Sequence, residues 1–258
     1  MRIVELEDLS LSLLRLLVEM YRRDPITHVY LLYDIIYESE STDAVFALES
    51  GSEIAGYVLI WHGGRRLGVH VWGEARQLLD TVSLKGPAVV QLYGEGLAGR
   101  VMESLGSSAR LERFVDMAVD EDGFRAWSAA EAVRLRADKE EHVEAFSEFS
   151  KARKRFLGDP QELLKKWRYY GVFVEDRLVS VACAYIRMPE VWCIGDVYTL
   201  EEHRGRGYGK TVTSAITRDA VSSGAIALLH VAEDNAAARR VYRALGFRAL
   251  RTRPWILA

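Results

Sequence analysis

The chain has 258 residues, of which 49% are hydrophobic and 28% charged, with two cysteines and a formal net charge of -3. That length suits one large or two smaller domains, and the composition excludes a disordered tail, a collagen-like fibre and a disulfide scaffold. Apolar runs such as 29–33 and 225–229 fall far short of the roughly 20 residues that span a bilayer, so no membrane partner is expected.

The opening stretch MRIVELEDLSLS is acidic where a secretory leader would be basic, which points to a cytoplasmic protein. Leu9, Leu13, Leu16 and Leu17 share one helical face and predict a helix over 9–20; a second follows at 30–37. Alternating, β-rich runs predict strands at 44–48, 54–61 and 67–72. Helix is then expected at 74–82, strand at 88–93, helix at 97–105 and strand at 113–119. The polar turn at 120–123 is the expected domain edge, which gives domains of 1–125 and 126–258.

The second half predicts a strand at 132–135, a charged amphipathic helix at 138–156 and a helix at 161–167 entered through Asp159-Pro160. Strands at 172–174 and 178–187 turn at Asp176-Arg177, and another strand runs over 191–200. A glycine-rich loop, a helix at 208–221, a strand at 225–232, a helix at 236–245 and a strand at 249–256 complete the chain. This order predicts an α+β (mixed α/β) fold with mixed strand pairing. Cys183 and Cys193 are expected as buried thiols in a reducing compartment, with a cross-strand disulfide as the alternative. Four of the six histidines, His28, His62, His70 and His142, lack metal-type spacing.

Residues 1–125 carry 12 basic and 20 acidic side chains, whereas 126–258 carry 22 and 17. A basic second half suits an anionic ligand, but the acidic total argues against nucleic acid. The basic side chains include the loop Arg204-Gly205-Arg206-Gly207-Tyr208-Gly209-Lys210, between a predicted strand and a predicted helix. Its glycines permit close backbone approach and positive φ, and its amides meet the positive end of the helix, a setting for a phosphate group. Downstream, Asn235 is the chain's single asparagine, placed to cap a helix, with Tyr242 seven residues on and Gly246 as its stop. A second glycine pattern, Gly94-x-Gly96-x-x-Gly99 with Asp116 and Asp120 beyond, formally matches a dinucleotide fingerprint; Glu95 would oppose a pyrophosphate there, and the motif alone is weak.

The combination of Arg204-x-x-Gly207-x-Gly209 after a strand, Asn235, and Tyr242-x-x-x-Gly246-Phe247 closely resembles the GNAT superfamily of acyl-CoA-dependent N-acyltransferases. The first half resembles a GNAT domain in its order of helices and strands but lacks the loop and the Asn-Tyr helix. It reads as a degenerate copy in a tandem arrangement. The resemblance implies a twisted mixed sheet whose two central parallel strands splay to admit acetyl-CoA as acyl donor. It further implies that Val197, Tyr198 and Thr199 pair with the pantetheine arm. The amides of Arg204, Gly205, Arg206, Gly207, Gly209 and Lys210 would then hold the pyrophosphate. Asn235 would contact the pantetheine and Tyr242 would lie near the sulfur.

Acyl transfer to an amine needs a neutral nucleophile, an oxyanion donor and a proton for the departing thiolate. Tyr242, with an ordinary phenol pKa near 10, is the candidate acid, and the amide of Tyr198 or Thr199 the candidate oxyanion donor. His230, on the strand before Asn235, is the candidate base, with Asp196 and Glu233 as alternatives. The expected reaction is direct transfer of an acetyl group to a primary amine of a small molecule or peptide, by a monomer or homodimer. A longer acyl donor, an amino acid or protein N-terminus as acceptor, and a non-enzymatic CoA-binding module are the rival readings.

Overall fold

The computed structural model describes residues 2–49, 53–154 and 157–258. The chain forms two compact units, one comprising residues 1–115 and 251–258 and the other 116–250. The expected division at 125 lies ten residues beyond this one, and residues 251–258 count with the first unit.

The N-terminal unit begins with β1 (Arg2–Glu5), α1 (Leu11–Arg23) and α2 (Pro25–Tyr37). Ser10 starts α1 by accepting the Leu13 N–H at 3.2 Å. Asp24 starts α2 in the same way, accepting from Thr27 at 3.0 Å with Pro25 at the first helical position. Strands β2 (Thr42–Leu48), β3 (Ile54–Trp61), β4 (Leu67–Gly73) and β5 (Ala88–Leu92) follow, then α3 (Ala98–Leu105) and β6 (Arg110–Val119), whose last four residues belong to the second unit. The order in the first unit is β1-β2-β3-β4-β5 and then the last strand of the chain. Neighbours run antiparallel except β4 and β5, which are parallel. One face packs Val58, Val69, Val90 and Val101 into a core.

The helix expected at 74–82 is not formed. Only a short 3-10 turn, Leu78–Asp80, occurs there. Ala75 and Leu78, whose spacing imitates a helical face, are both fully buried in that core. In the dinucleotide-like segment, Glu95 accepts from Arg113 Nη1 at 2.9 Å, a surface ion pair in place of a phosphate cradle.

The C-terminal unit contains β7 (Val133–Leu135), α4 (Glu140–Ala152), α5 (Pro160–Lys166), β8 (Arg168–Val174), β9 (Arg177–Arg187) and β10 (Val191–Thr199). It continues with α6 (Tyr208–Ser222), β11 (Ile226–Ala232) and α7 (Ala236–Ala244). The last strand, β12 (Arg248–Leu257), starts in this unit. The end of the helix predicted at 138–156 lies outside the described residues. The strand order is β6-β11-β10-β9-β8-β7. The hairpin between β8 and β9 pairs Val174 with Arg177, so its two loop residues are Glu175 and Asp176, one position earlier than the sequence suggests. Both have positive φ, 50° and 60°, the type I′ geometry that suits the twist of a two-residue hairpin. Cys183 and Cys193 are free. They lie on adjacent strands but out of register, since Cys183 faces Gly195 and Cys193 faces Ile186.

Candidate active site

Strands β10 and β11 run parallel and pair from Val191 with Ile226 through Ile194 with Leu229. There the pairing stops, although β10 continues to Thr199 and β11 to Ala232. Burial changes at the same point: Val191 to Ile194 are buried, while Gly195 to Thr199 are only partly so. The cause is a bulge. The register of β10 on β9 shifts between Gly195 and Tyr198, and Asp196 lies in the left-handed region at φ 48°.

The bulge is anchored from within. Arg153, which follows α4, donates from Nη1 to both Asp196 carboxylate oxygens at 2.8 and 2.9 Å. The Tyr169 hydroxyl adds a 2.9 Å bond to Asp196 Oδ2. The two charged side chains are 0% and 5% exposed, and the guanidinium rests 5.2 Å from the centre of the Phe149 ring. Asp196, an alternative base in the sequence, therefore has both oxygens committed to this pair. The stretch beyond the bulge, paired again with β9 at Tyr198 and Thr199 but not with β11, contains Val197, Tyr198 and Thr199. Ser180 Oγ steadies it, 2.8 Å from Thr199 Oγ1 and donating to the Tyr198 carbonyl at 3.2 Å.

The chain then enters the glycine loop. Gly205 and Gly207 have φ of 78° and 84°. Gly207 is the N-cap of α6, and no side chain caps it. The Thr211 N–H is returned to the Gly207 carbonyl at 3.0 Å, which puts the amides of Tyr208, Gly209 and Lys210 at the positive end of the helix. Arg204 turns back on its own chain, with Nε donating to the Thr199 carbonyl at 3.2 Å and its guanidinium 5.5 Å over the Tyr198 ring. Lys210 Nζ stands 4.4 Å over the ring of Trp127. The residues from Trp127 to Ala129 lie along α6, held by the Trp127 N–H to Ser214 Oγ at 2.9 Å and the Ala129 N–H to Thr211 Oγ1 at 3.0 Å. A Cβ at Gly207 would come within 2.3 Å of the Trp127 ring. Trp127 is a site feature that no local sequence signal announces. Arg206 is exposed.

Asn235 caps α7, its Oδ1 accepting the Ala238 N–H at 3.0 Å. Tyr242 is 7% exposed on the same helix, with its ring 6.0 Å from that of Phe247. Burial pushes its phenol up to about 12. His230 is the first residue of β11 beyond the last pair, Ile194 with Leu229. Its Nδ1 lies 2.7 Å from Asp116 Oδ1, on β6, and the two side chains are 6% and 0% exposed. The sequence offered Asp116 only as part of the dinucleotide-like pattern, with no hint of this contact. Glu233 is exposed, and its main-chain carbonyl accepts from Arg239 at 2.7 Å.

Beyond Ile194 and Leu229, the two parallel strands β10 and β11 are no longer paired with each other. On one side, the β10 segment that β9 alone pairs leads to a helix N-terminus that no side chain caps. On the other side stands a buried imidazole.

Residues 169–256 match the family model described as FR47-like protein. No curated protein matches the sequence. Several solved structures resemble it over most of its length. A Drosophila protein shares 17% identity at a TM-score of 0.71, covering 96% of each chain. A GCN5-related N-acetyltransferase from Sphaerobacter thermophilus shares 17% identity at 0.61, covering 99% of this chain and 95% of that one. A GCN5-related N-acetyltransferase-like protein from Streptococcus suis shares 14% at 0.62, covering 93% and 99%. At such identities the likeness is one of fold, the mixed α/β GNAT fold.

Proposed function

We propose that this chain is a member of the GNAT superfamily and an N-acetyltransferase that moves the acetyl group of acetyl-CoA to a primary amine by direct attack. The observation that carries the reading is the end of β10–β11 pairing at Ile194 and Leu229, beside an uncapped helix N-terminus. An unpaired strand edge offers amide and carbonyl groups to an extended pantetheine, as to an added strand. The loop amides and helix dipole offer a seat for a diphosphate. These features fit a CoA thioester, which supplies an activated acyl group when bound.

The chain's own residues divide the remaining work. Val197, Tyr198 and Thr199 align the donor, and an amide among them donates to the carbonyl oxygen as it gains charge. The amides from Arg204 to Lys210 hold the diphosphate, with Arg206 as the cation left facing solvent. Asn235 keeps its side-chain N–H2 available for the donor arm, because the cap uses only Oδ1. The amine, mostly protonated near neutral pH, gives one proton to solvent before it attacks, and His230 takes a second from the nitrogen as the C–N bond forms. Tyr242 donates to the sulfur as the C–S bond breaks. The products are an amide and a free thiol, the thiolate taking up the proton from His230 through solvent while Tyr242 keeps its own. Neither cysteine takes part: both are buried, and burial pushes the Cys183 thiol upward, away from a nucleophilic thiolate.

Free-thiol release from acetyl-CoA, measured with a panel of amines, amino acids and peptides, tests the proposal. Release that depends on both the acceptor and His230 is expected. No release with any acceptor, while the protein binds CoA, would favour a binding module. Faster release from longer acyl-CoA donors would reassign the donor.

A further inference from the structure

We propose that Trp127 is a positioning residue for the glycine loop, and that the segment 123–129 braces the two helix ends beside the donor site. The inference rests on the reading of that loop as the diphosphate seat. The segment follows β6 and forms neither helix nor strand. Its course is set instead by ties to two helices. At one end, the Arg125 N–H donates to the Leu245 carbonyl at 3.0 Å. Beside it, Gly246 has φ 95°, and a Cβ there would collide with the Gly123 carbonyl oxygen. Both contacts lie at the C-terminal end of α7, the helix that carries Tyr242. At the other end, the Trp127 and Ala129 N–H groups donate to Ser214 and Thr211, on the first two turns of α6. One short stretch is thus fastened both to the end of α7 and to the start of α6.

The indole does what a capping side chain does elsewhere. Gly207 is the N-cap of α6 and has no side chain of its own. The Trp127 ring occupies the place where a Cβ of Gly207 would project, with the Ala129 Cβ 3.3 Å from the same point. Gly205, by contrast, has nothing within 4 Å of that position. The loop is therefore packed at Gly207 and open at Gly205. Glycine backbone is otherwise free to rearrange, and a disordered loop would lose freedom on gripping a diphosphate, at a cost in affinity. The same ring also receives the Lys210 ammonium, 4.4 Å from its centre. A cation on a flexible four-carbon stem thereby gains a fixed place beside the positive end of the helix.

The test compares amide exchange and steady-state kinetics of the full chain in wild type, Trp127→Ala and Trp127→Phe. Without ligand, Trp127→Ala is expected to speed exchange of the Thr211 N–H, which bonds to the Gly207 carbonyl, about 10-fold while β9 amides keep their wild-type rates. The acetyl-CoA KM is expected to rise about 10-fold with kcat within about twofold, and Trp127→Phe to recover part of both losses. Wild-type exchange at Thr211 in a folded Trp127→Ala would overturn the proposal. So would faster exchange with an unchanged KM. If Trp127→Ala does not fold, the wild-type indole N–H resonance of Trp127, assigned by its loss in Trp127→Phe, decides. Saturable displacement of that resonance by CoA supports the role, and a resonance unmoved at saturation overturns it. Faster Thr211 exchange in Trp127→Ala, in a protein that binds no CoA, would leave Trp127 as the brace of the loop and remove the acetyl-CoA reading instead.

Discussion

Tyr242 is buried on α7, and its phenol is pushed up to about 12. A thiol ionises near 8.5, so outright proton transfer to a free thiolate runs uphill by roughly 5 kcal/mol. The phenol is better suited to donating a hydrogen bond to sulfur as charge develops there. Tyr242→Phe is expected to lower kcat about 100-fold and leave the acetyl-CoA KM unchanged, which steady-state kinetics will show. Because the folded phenol ionises above the unfolded one, its contribution to stability is full below pH 10. It is lost as pH rises toward 12; denaturant unfolding across that range is expected to show the decline, and to lose this component in Tyr242→Phe. The sequence made Tyr242 and Asn235 visible, since their spacing on one helix face follows from helical geometry. It supplied an ordinary phenol pKa for Tyr242, because burial by distant residues leaves no trace in a local pattern. Asp116 escaped for the same reason, since its contact with His230 spans 114 positions.

The decisive element is β10, whose bulge at Asp196 ends the pairing with β11. The Arg153–Asp196 pair holds the bulge, and removing one partner of a buried pair costs about 3–5 kcal/mol. Asp196→Ala is expected to lower unfolding free energy by about that amount and to raise the acetyl-CoA KM more than it lowers kcat. Denaturant unfolding and initial-rate kinetics check the two parts. Equal KM with lost stability would confine the pair to folding. Most elements were legible from periodicity: α6 and β11 begin and end within a residue of their expected limits. The segment 74–82 was not, because two buried loop residues, Ala75 and Leu78, mimic the spacing of a helix. β1 was missed because only Val4 of its four residues is buried, which leaves no alternation to read.

Across the whole molecule, the two units treat the same parallel pair differently. In the first, β4 and β5 stay paired from Leu67 with Ala88 to Val71 with Leu92, and the Tyr93 N–H extends the ladder to the Val71 carbonyl at 3.0 Å. Only the 3-10 turn Leu78–Asp80 lies between β4 and β5. Among the described residues of that unit, the parallel pair therefore does not part, and no α-helix lies between its strands. That unit also takes in residues 251–258, where Trp255 pairs with Gln91 and Ile256 is fully buried. A chain ending at residue 250 is therefore expected to lose stability in its N-terminal half, read as increased amide exchange across β5, and unchanged exchange there would count against this. The sequence suggested two domains and their common rhythm. It left the destination of the last strand open, because a β-rich run does not state which partner it joins.

Calorimetric titration of the purified full chain with CoA, alongside Gly207→Val, tests the central claim most directly. Gly207 has φ 84°, and a Cβ there would meet the Trp127 ring at 2.3 Å, so the substitution deforms the loop where the diphosphate is expected. The account predicts saturable binding by the wild-type chain and its loss in a folded Gly207→Val. Absence of heat with the wild type, or equal affinity in the variant, would contradict it.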